Sequence, residues 1–277
     1  MTFRRKKTRC GRHPPALARI DVLCIGAGVA LLLLGGAGLV RQSFIQVRLH
    51  GCAAHQKSLY QGFQGYAQDH FNGLPVGQLN ARGKSESWDS DIFPYVKRLA
   101  GVSDPYRQFQ CPSDAVPRPQ PRSYAMTFYD PVRYGWPPRP DSHGGLGLYV
   151  DASRLRVLEA HAPEDPARSS ARSMRLPALR FDMVPDPKGT GLLVESISAD
   201  HFFGQAGGAA VECSRDQFNT NGPNSKTSAN LHGGRLNYLM ADGHVETLHP
   251  WESVGWAGDA HGGIGDHFGL WSLRPDD

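Results

Sequence analysis

Candidate metal ligands are concentrated near the carboxyl terminus of the chain. Eight His and Asp residues lie within 232–267: His232, Asp242, His244, His249, Asp259, His261, Asp266 and His267. A helical metal site of the common type needs two histidines four positions apart, and no His-Glu-x-x-His sequence is present. On a strand, His244 and Glu246 would share one face, but ordinary cross-strand polar pairs do so too. We therefore predict surface or packing roles for these histidines, and neither a metal ion nor a cofactor.

Motifs for nucleophilic or nucleotide chemistry are also missing from the sequence. There is no Gly-x-Ser-x-Gly turn and no phosphate-binding Gly-x4-Gly-Lys-Ser/Thr loop. Gly26 and Gly28 lie inside an apolar run, where small residues more often serve helix packing. We therefore predict that the protein is not an enzyme. An anchored hydrolase with an unrecognised site is the least favoured alternative.

Five cysteines are present, and three of them, Cys52, Cys111 and Cys213, follow the apolar run. An oxidising compartment would permit one disulfide among these three, and the sequence alone does not determine the pair. Our first choice is Cys52–Cys111, and the next is Cys111–Cys213. No Cys-x-x-Cys is present, so neither a redox motif nor a structural zinc site is indicated.

A membrane anchor is the strongest single signal in the chain. Residues 22–40 form an uncharged run of nineteen, which as a helix would be about 28 Å long and would match the ~30 Å hydrocarbon core of a bilayer. The run is longer than the apolar part of a signal peptide and lacks a good cleavage site after it. We predict a cytoplasmic leader (1–21), a transmembrane helix (22–40), its extracytoplasmic continuation (41–72) and a globular domain (73–277).

Charge predicts the orientation of this anchor. Seven Lys and Arg residues precede the run, and basic residues favour the cytoplasmic side of a membrane. Residues 1–21 carry seven positive charges and one negative charge, a net +6, so the overall +4 leaves −2 for residues 22–277. The net positive charge of the chain therefore indicates the orientation of the anchor, and it does not indicate nucleic-acid binding. We predict a single-pass protein of the inner (cytoplasmic) membrane with its amino terminus inside.

The pattern after the anchor indicates an α+β domain. Proline is absent from 42–71, and an apolar stripe at helical spacing includes Leu49, Cys52, Leu59 and Phe63. A long helix is therefore expected, ending near Asn72-Gly73, and a coiled coil is its less favoured alternative. A short helix is predicted at 88–100, and strands at 124–129, 146–150 and 190–197. Thirteen of the 21 prolines lie between Pro112 and Pro187, which predicts a loop-rich insertion over 112–187.

A β-hairpin is predicted at residues 235–248. Asp242-Gly243 separates two alternating apolar runs, which is a strong short-range hairpin signal. Leu236, Tyr238 and Met240 should then share one face, with Asn237 and Leu239 on the other. Gly243 should have a positive φ, so Gly243→Val should be destabilising. For His232 and Asp242 we predict structural roles, in which His232 ties the incoming loop to the hairpin.

Asp21 lies at the start of the apolar run and has two explanations. An acid in the first turn of a helix is favoured by the helix dipole and can cap the helix. Alternatively, its carboxylate meets a positive group of a neighbouring subunit within the membrane.

Several segments resemble the type IV pilin-like proteins, and among them the pseudopilins of type II secretion. The amino-terminal match is Leu17-Ala-Arg-Ile-Asp21 followed by the apolar run. Gln110-Cys-Pro-Ser-Asp114 and Ser123-Tyr-Ala-Met126 are similar to a pair of motifs in one bacterial group of this family. Most specifically, His232 is followed after nine residues by Asp242-Gly243, which resembles the processing-associated carboxyl-terminal motif of that group.

The resemblance implies a structural subunit whose long helix packs on an antiparallel sheet and which assembles through its apolar segment. The implied partners are other pilin-like subunits, the secretion machinery and membrane lipid. The family usually has Gly before the cleaved bond and Glu five residues into the mature chain. This chain has Ala16 and Asp21 there, so cleavage before Leu17 by a prepilin peptidase is left open. A single-pass anchored binding module is the alternative function.

The orientation can be tested with reporter fusions. Alkaline phosphatase fused after residue 75 should be active, and a reporter that works only in the cytoplasm should be inactive at the same position, because the basic leader stays inside. The reverse pattern would contradict the predicted topology.

Overall fold

The computed structural model describes residues 16–99, 101, 103–138, 144–160, 179–198, 200–211, 228–254, 256–257, 260–261 and 269–273; side chains are described from residue 36 onward, except at 228–230, 256–257, 260–261 and 269. Two compact units are present, residues 1–45 and residues 46–277. The first contains the start of helix α1. The rest of α1 and all the other described elements belong to the second.

Helix α1 spans Ala16–Asp69, 54 residues, and confirms the predicted long helix. Within the second unit its buried side chains recur at helical spacing and form one stripe: Leu49, Cys52, Gln56, Leu59, Phe63 and Ala67. Gln56 is the polar member that the sequence analysis did not recognise. The helix ends where Phe71 and Asn72 adopt positive φ angles of 55° and 61°. Within the part of the chain that the structure describes, no helix is long and apolar enough to cross a membrane; the predicted span at 22–40 has described side chains only from residue 36.

The sheet contains eight strands and runs in the order β2-β1-β4-β3-β5-β7-β8, with β6 also paired to β3. The bounds of these strands are β1 Gln78–Ala81, β2 Lys84–Ser87, β3 Tyr124–Tyr129, β4 Gly147–Asp151, β5 Gly191–Glu195, β6 Ala210–Val211, β7 Leu236–Met240 and β8 Val245–Leu248. Strands β9 (Trp256–Ala257) and β10 (Ala260–His261) form a separate antiparallel pair. Helices α2 (Trp88–Val96), α3 (Pro131–Tyr134) and α4 (Ala152–Ala160) lie between strands.

The sheet is mixed, so the expectation of an antiparallel sheet is corrected. The pairs β3–β5, β5–β7 and β7–β8 are antiparallel, but β4 is parallel to both β1 and β3, and β6 is parallel to β3. A parallel neighbour needs a crossover of about a dozen residues or more. The chain between β3 and β4 is long enough for such a crossover and includes α3.

The predicted loop insertion at 112–187 is not confirmed. Strand β3 lies within that range, has the predicted bounds and is buried along its whole length near the middle of the sheet. Strand β4 joins β1 to β3, and α4 follows it directly. The described prolines of this range fall outside the strands, where a missing N–H does not interrupt a ladder. Residues 139–143 and 161–178 of the range lie outside the described residues.

Helix α2 packs closely against α1 through two glycines. A Cβ at Gly62 would lie 2.6 Å from Val96, and one at Gly65 would lie 2.8 Å from Tyr95, so side chains there would force the helices apart. Trp88 begins α2 and stacks on Phe63 of α1 with 5.4 Å between the ring centroids. The helix is shorter than the predicted 88–100, and Pro94 lies inside it near its end.

The hairpin of β7 and β8 is confirmed, and both faces of β7 are buried. Leu236, Tyr238 and Met240 contribute to one hydrophobic cluster and Leu239 to the other, as the alternation predicts. Gly243 has a φ of 93°. A Cβ at this position would lie 2.3 Å from the ring of Tyr60 on α1, so the turn lies directly against the helix.

The variant Gly243→Ala should be destabilising for two separable reasons. A left-handed backbone costs about 1–2 kcal/mol for a residue with a Cβ, and overpacking against Tyr60 adds about 1–3 kcal/mol. Gly83→Ala is the matched control, because Gly83 lies in the turn between β1 and β2 with a φ of 73° and open space around it. Chemical denaturation should give a larger loss for Gly243→Ala than for Gly83→Ala. Equal losses of stability in the two variants would show that the turn at Gly243 is not packed tightly against Tyr60.

Candidate functional site

Asn237, the second residue of strand β7, connects α1 to the sheet. Its backbone carbonyl accepts a 3.0 Å hydrogen bond from Gln56 Nε2, and its own Nδ2 donates to the carbonyl of Leu49 at 3.0 Å. Its Oδ1 accepts from Thr247 on β8 at 2.7 Å, and its backbone N–H donates to Glu195 Oε2 on β5 at 2.9 Å. This fully buried residue therefore bonds three elements at once. Tyr60 adds a further bond from α1, donating to the Ala241 carbonyl at 3.1 Å.

His232 lies just before β7 in a left-handed conformation, with a φ of 45° and two glycines after it that also have positive φ. Its ring is buried, and its two nitrogens face different partners. Nδ1 lies 3.2 Å from Ser113 Oγ. Nε2 lies 3.1 Å from Glu195 Oε1 and 3.4 Å from Cys111 Sγ. His232 thus ties the loop before the hairpin to β5 and to the segment that contains Cys111.

The structure contains a disulfide between Cys52 on α1 and Cys111, the first of the two pairings considered. Both residues are fully buried. The sequence separation is 59 residues, and closing a loop of this size stabilises the fold by roughly 4 kcal/mol in the chain-entropy model. His55, one turn further along α1, reinforces the link, because its Nδ1 lies 2.9 Å from the Gln110 carbonyl. Burial lowers the pKa of His55, although this hydrogen bond partly opposes the shift.

Four residues of this region could hold a metal ion. Cys52, Cys111, Glu195 and His232 are all buried, and each offers one donor atom within 4.8 Å of the others. No sequence motif marks this set, since its members come from α1, β5 and two loops that are distant in the chain. We call these four residues the buried donor cluster. The side chains of His232 and Glu195 are 0 % exposed, so the cluster is suited to a ligand no larger than an ion.

Asp242 lies at the opposite end of β7 from His232, so the two ends of the His-x9-Asp-Gly motif do not share a site. Asp242 Oδ1 accepts the backbone N–H of His244 at 3.0 Å and also contacts His244 Nδ1 at 2.5 Å. Glu246 Oε1 lies 3.1 Å from the other ring nitrogen of His244. Partial burial alone would lower the pKa of His244, but the hydrogen bonds to these two carboxylates outweigh it, and the pKa is raised.

The two motifs at 110–114 and 123–126 meet in the structure. Ser123 Oγ donates to Asp114 Oδ2 at 2.5 Å, and Arg118 forms a bidentate ion pair with the same carboxylate. Next to it, the fully buried Arg122 pairs with Asp89 at the start of α2 at 3.0 Å and donates to the Gln205 carbonyl at 2.8 Å. Buried charges need partners of this kind. Neither pair was identified from the sequence, because an arginine among prolines in an apparent loop carries no local signal of burial.

Other residues singled out in the sequence lie outside what the structure describes. Ala16, Leu17 and Asp21 belong to the backbone of α1, but their side chains are not described. Cys213, Asp259, Asp266 and His267 lie outside the described residues. His249, in contrast, packs against Trp251 with 4.2 Å between ring centroids, which is the packing role expected of it.

Comparison of the chain with protein-family models, with curated proteins and with solved structures finds no match. The site is therefore interpreted from its own geometry. That geometry combines a buried structural network around Asn237 with the buried donor cluster beside it.

The raised pKa of His244 can be measured by NMR titration. We expect a value above the ordinary 6.5, and a lower value in Asp242→Asn, which removes one partner charge but keeps an oxygen for the turn. Asp104→Asn is the control, since Asp104 also accepts the N–H two residues on but is remote from this pair. Because the folded pKa is raised, the stabilisation from His244 is full below the unfolded pKa and is lost as pH rises through the folded pKa. A His244 pKa that is unchanged in Asp242→Asn would contradict the pairing.

Proposed function

We propose that this chain is a membrane-anchored, pseudopilin-like structural subunit of a type II secretion or type IV pilus-like assembly, without catalytic activity. The observation that carries the proposal is the single long helix α1 (Ala16–Asp69), whose outer part is attached to an α+β domain. The attachment is both covalent, through Cys52–Cys111, and polar, through Gln56 and Asn237. A helix held in this way suits a subunit that transmits force between a membrane segment and its domain.

Exposed apolar side chains on α1 support a role in assembly. Leu39, Val40, Phe44 and Val47 are 55–73 % exposed, and grouped exposed apolar side chains mark protein or membrane interaction sites. Val40, Phe44 and Val47 are spaced by four and three positions and so share one side of the helix. Neighbouring copies or lipid would cover these side chains. The uncharged run at 22–40 and the basic leader before it favour the inner membrane, with the domain outside the cytoplasm.

Asp21 is the proposed pairing group in the assembled state. It is the acid nearest the apolar run, and an ionised carboxylate at that depth gains most when it meets a positive group. The partner would be the amino terminus of a neighbour if a prepilin peptidase exposes Leu17, or Arg19 of an adjacent copy if cleavage does not occur. Other pilin-like subunits and the secretion machinery are the proposed partners.

Crosslinking in native membranes tests the assembly role. Asp21→Ala should reduce crosslinked oligomers while insertion and folding remain intact, because an acid at the bilayer edge contributes little to either. Asp69→Ala is the matched control: it removes an acid from the other end of the same helix, where Asp69 accepts a bond from Tyr95, and it should leave the oligomers unchanged. Wild-type protein that stays monomeric beside its assembly partners would contradict the proposal and favour the anchored binding module.

A further inference from the structure

We propose that, when the Cys52–Cys111 disulfide is reduced, the buried donor cluster binds one Zn²⁺ ion through both thiolates, Glu195 and His232. Two sulfurs, one imidazole nitrogen and one carboxylate oxygen form a donor set that zinc accepts in tetrahedral sites, whereas calcium and magnesium prefer all-oxygen sites. This inference goes beyond the assembly role and does not depend on it.

The distances between the donor atoms are already close to those found around a coordinated zinc ion. With Zn–N and Zn–O bonds of about 2.1 Å and Zn–S bonds of about 2.3 Å, neighbouring donors of a tetrahedron lie roughly 3.4–3.8 Å apart. His232 Nε2 lies 3.4 Å from Cys111 Sγ and 3.1 Å from Glu195 Oε1, and all four donor atoms lie within 4.8 Å of one another. Cleavage of the S–S bond frees the two sulfurs to separate, and small side-chain shifts would then complete the site.

Hydrogen bonds from surrounding groups hold three of the four donors in position. The backbone N–H of Ser113 points at Cys111 Sγ at 3.4 Å, a contact that stabilises a thiolate. Ser113 Oγ lies at the second nitrogen of His232, which leaves Nε2 directed at the cluster. The backbone N–H of Asn237 bonds Glu195 Oε2, which leaves Oε1 directed at the same point. Bonds of this kind orient the ligands in known metal sites.

The disulfide form and the zinc-bound form differ by two electrons and by the positions of their protons. A dithiol reductant supplies two electrons and two protons, so the disulfide becomes two thiols and the reductant becomes a disulfide. Binding of Zn²⁺ then releases both thiol protons. In the disulfide state, the His232 tautomer with its proton on Nε2 would donate to Glu195 Oε1. In the zinc state the proton lies on Nδ1 and is donated to Ser113 Oγ, so that the Nε2 lone pair faces the metal.

The experiment uses the full-length chain in detergent with Cys10, Cys24 and Cys213 changed to Ser, so that Cys52 and Cys111 are its only cysteines. The oxidised protein and the phosphine-reduced protein are each incubated with Zn²⁺ and cleared of unbound metal, and the metal content is then measured. We expect one zinc per reduced chain and none per oxidised chain. Co²⁺ in place of Zn²⁺ should give the visible absorption of a tetrahedral thiolate site only after reduction.

Substitutions identify the ligands. His232→Asn suits the left-handed backbone, because asparagine tolerates that conformation, and it should abolish stoichiometric binding. Glu195→Gln and Cys52→Ala, each made alone, should do the same. His201→Ala is the matched control, since His201 is also a buried histidine; each of the two whole residues is 8 % exposed. Ser113→Ala should weaken zinc binding by about 10–100-fold through loss of the bond to His232. Ser58→Ala removes a hydroxyl that bonds the Ala54 carbonyl within α1, and it should have no effect.

Histidine ¹⁵N chemical shifts and thermal stability provide two further tests of zinc binding. Histidine ¹⁵N shifts should show the proton of His232 moving from Nε2 to Nδ1 when zinc binds. If reduction lowers the thermal stability of the chain, zinc should restore it in the wild type and not in His232→Asn. Reduced protein that takes up no stoichiometric zinc, or that keeps its zinc in His232→Asn and Glu195→Gln, would overturn the proposal. So would a reduced, unfolded chain that zinc does not refold.

Discussion

The hydrogen bonds of Asn237 are the constraint on which the rest of the structure depends. A buried amide side chain is costly unless its donors and acceptors are paired. The side-chain amide of Asn237 satisfies this requirement with bonds to α1 and β8, and its backbone N–H adds a bond to β5. Because each of those partners can bond only in one register, the helix cannot slide along the sheet without leaving a buried polar group unpaired. The apolar stripe of α1 provides most of the burial, and Asn237 determines the position of the helix.

Glu195 connects this network to the cysteines. One of its oxygens accepts from Asn237 and the other faces His232, which in turn lies against Cys111. Reduction of the disulfide can therefore affect the hydrogen bonds between α1 and the sheet through His232 and Glu195. A buried carboxylate is sensitive to the loss of a hydrogen-bond donor, since that bond offsets part of the cost of its burial. The docking of α1 and the chemistry of the buried donor cluster are thus physically linked.

The His-x9-Asp-Gly spacing has a structural explanation in this chain. Strand β7 occupies five of the intervening positions, so the two ends of the motif lie at opposite ends of one strand. His232 determines how the chain enters that strand, and Asp242 with Gly243 determines how it leaves against Tyr60. The spacing therefore corresponds to the length of one strand together with the turns before and after it. His232 and Asp242 are not two ligands of one site.

Local pattern by itself determined several elements of this protein. The long helix follows from apolar residues at helical spacing without proline, the hairpin from Asp-Gly between alternating runs, and the bounds of β3 from a short run between turn residues. These features depend on neighbours in the sequence. Tertiary structure decided the rest: the parallel position of β4, the burial of Arg122 with Asp89, the role of Asn237 and the meeting of His232 with Glu195. Each of these joins residues far apart in the chain, and the energy of burying a polar group depends on partners that only the folded chain brings together.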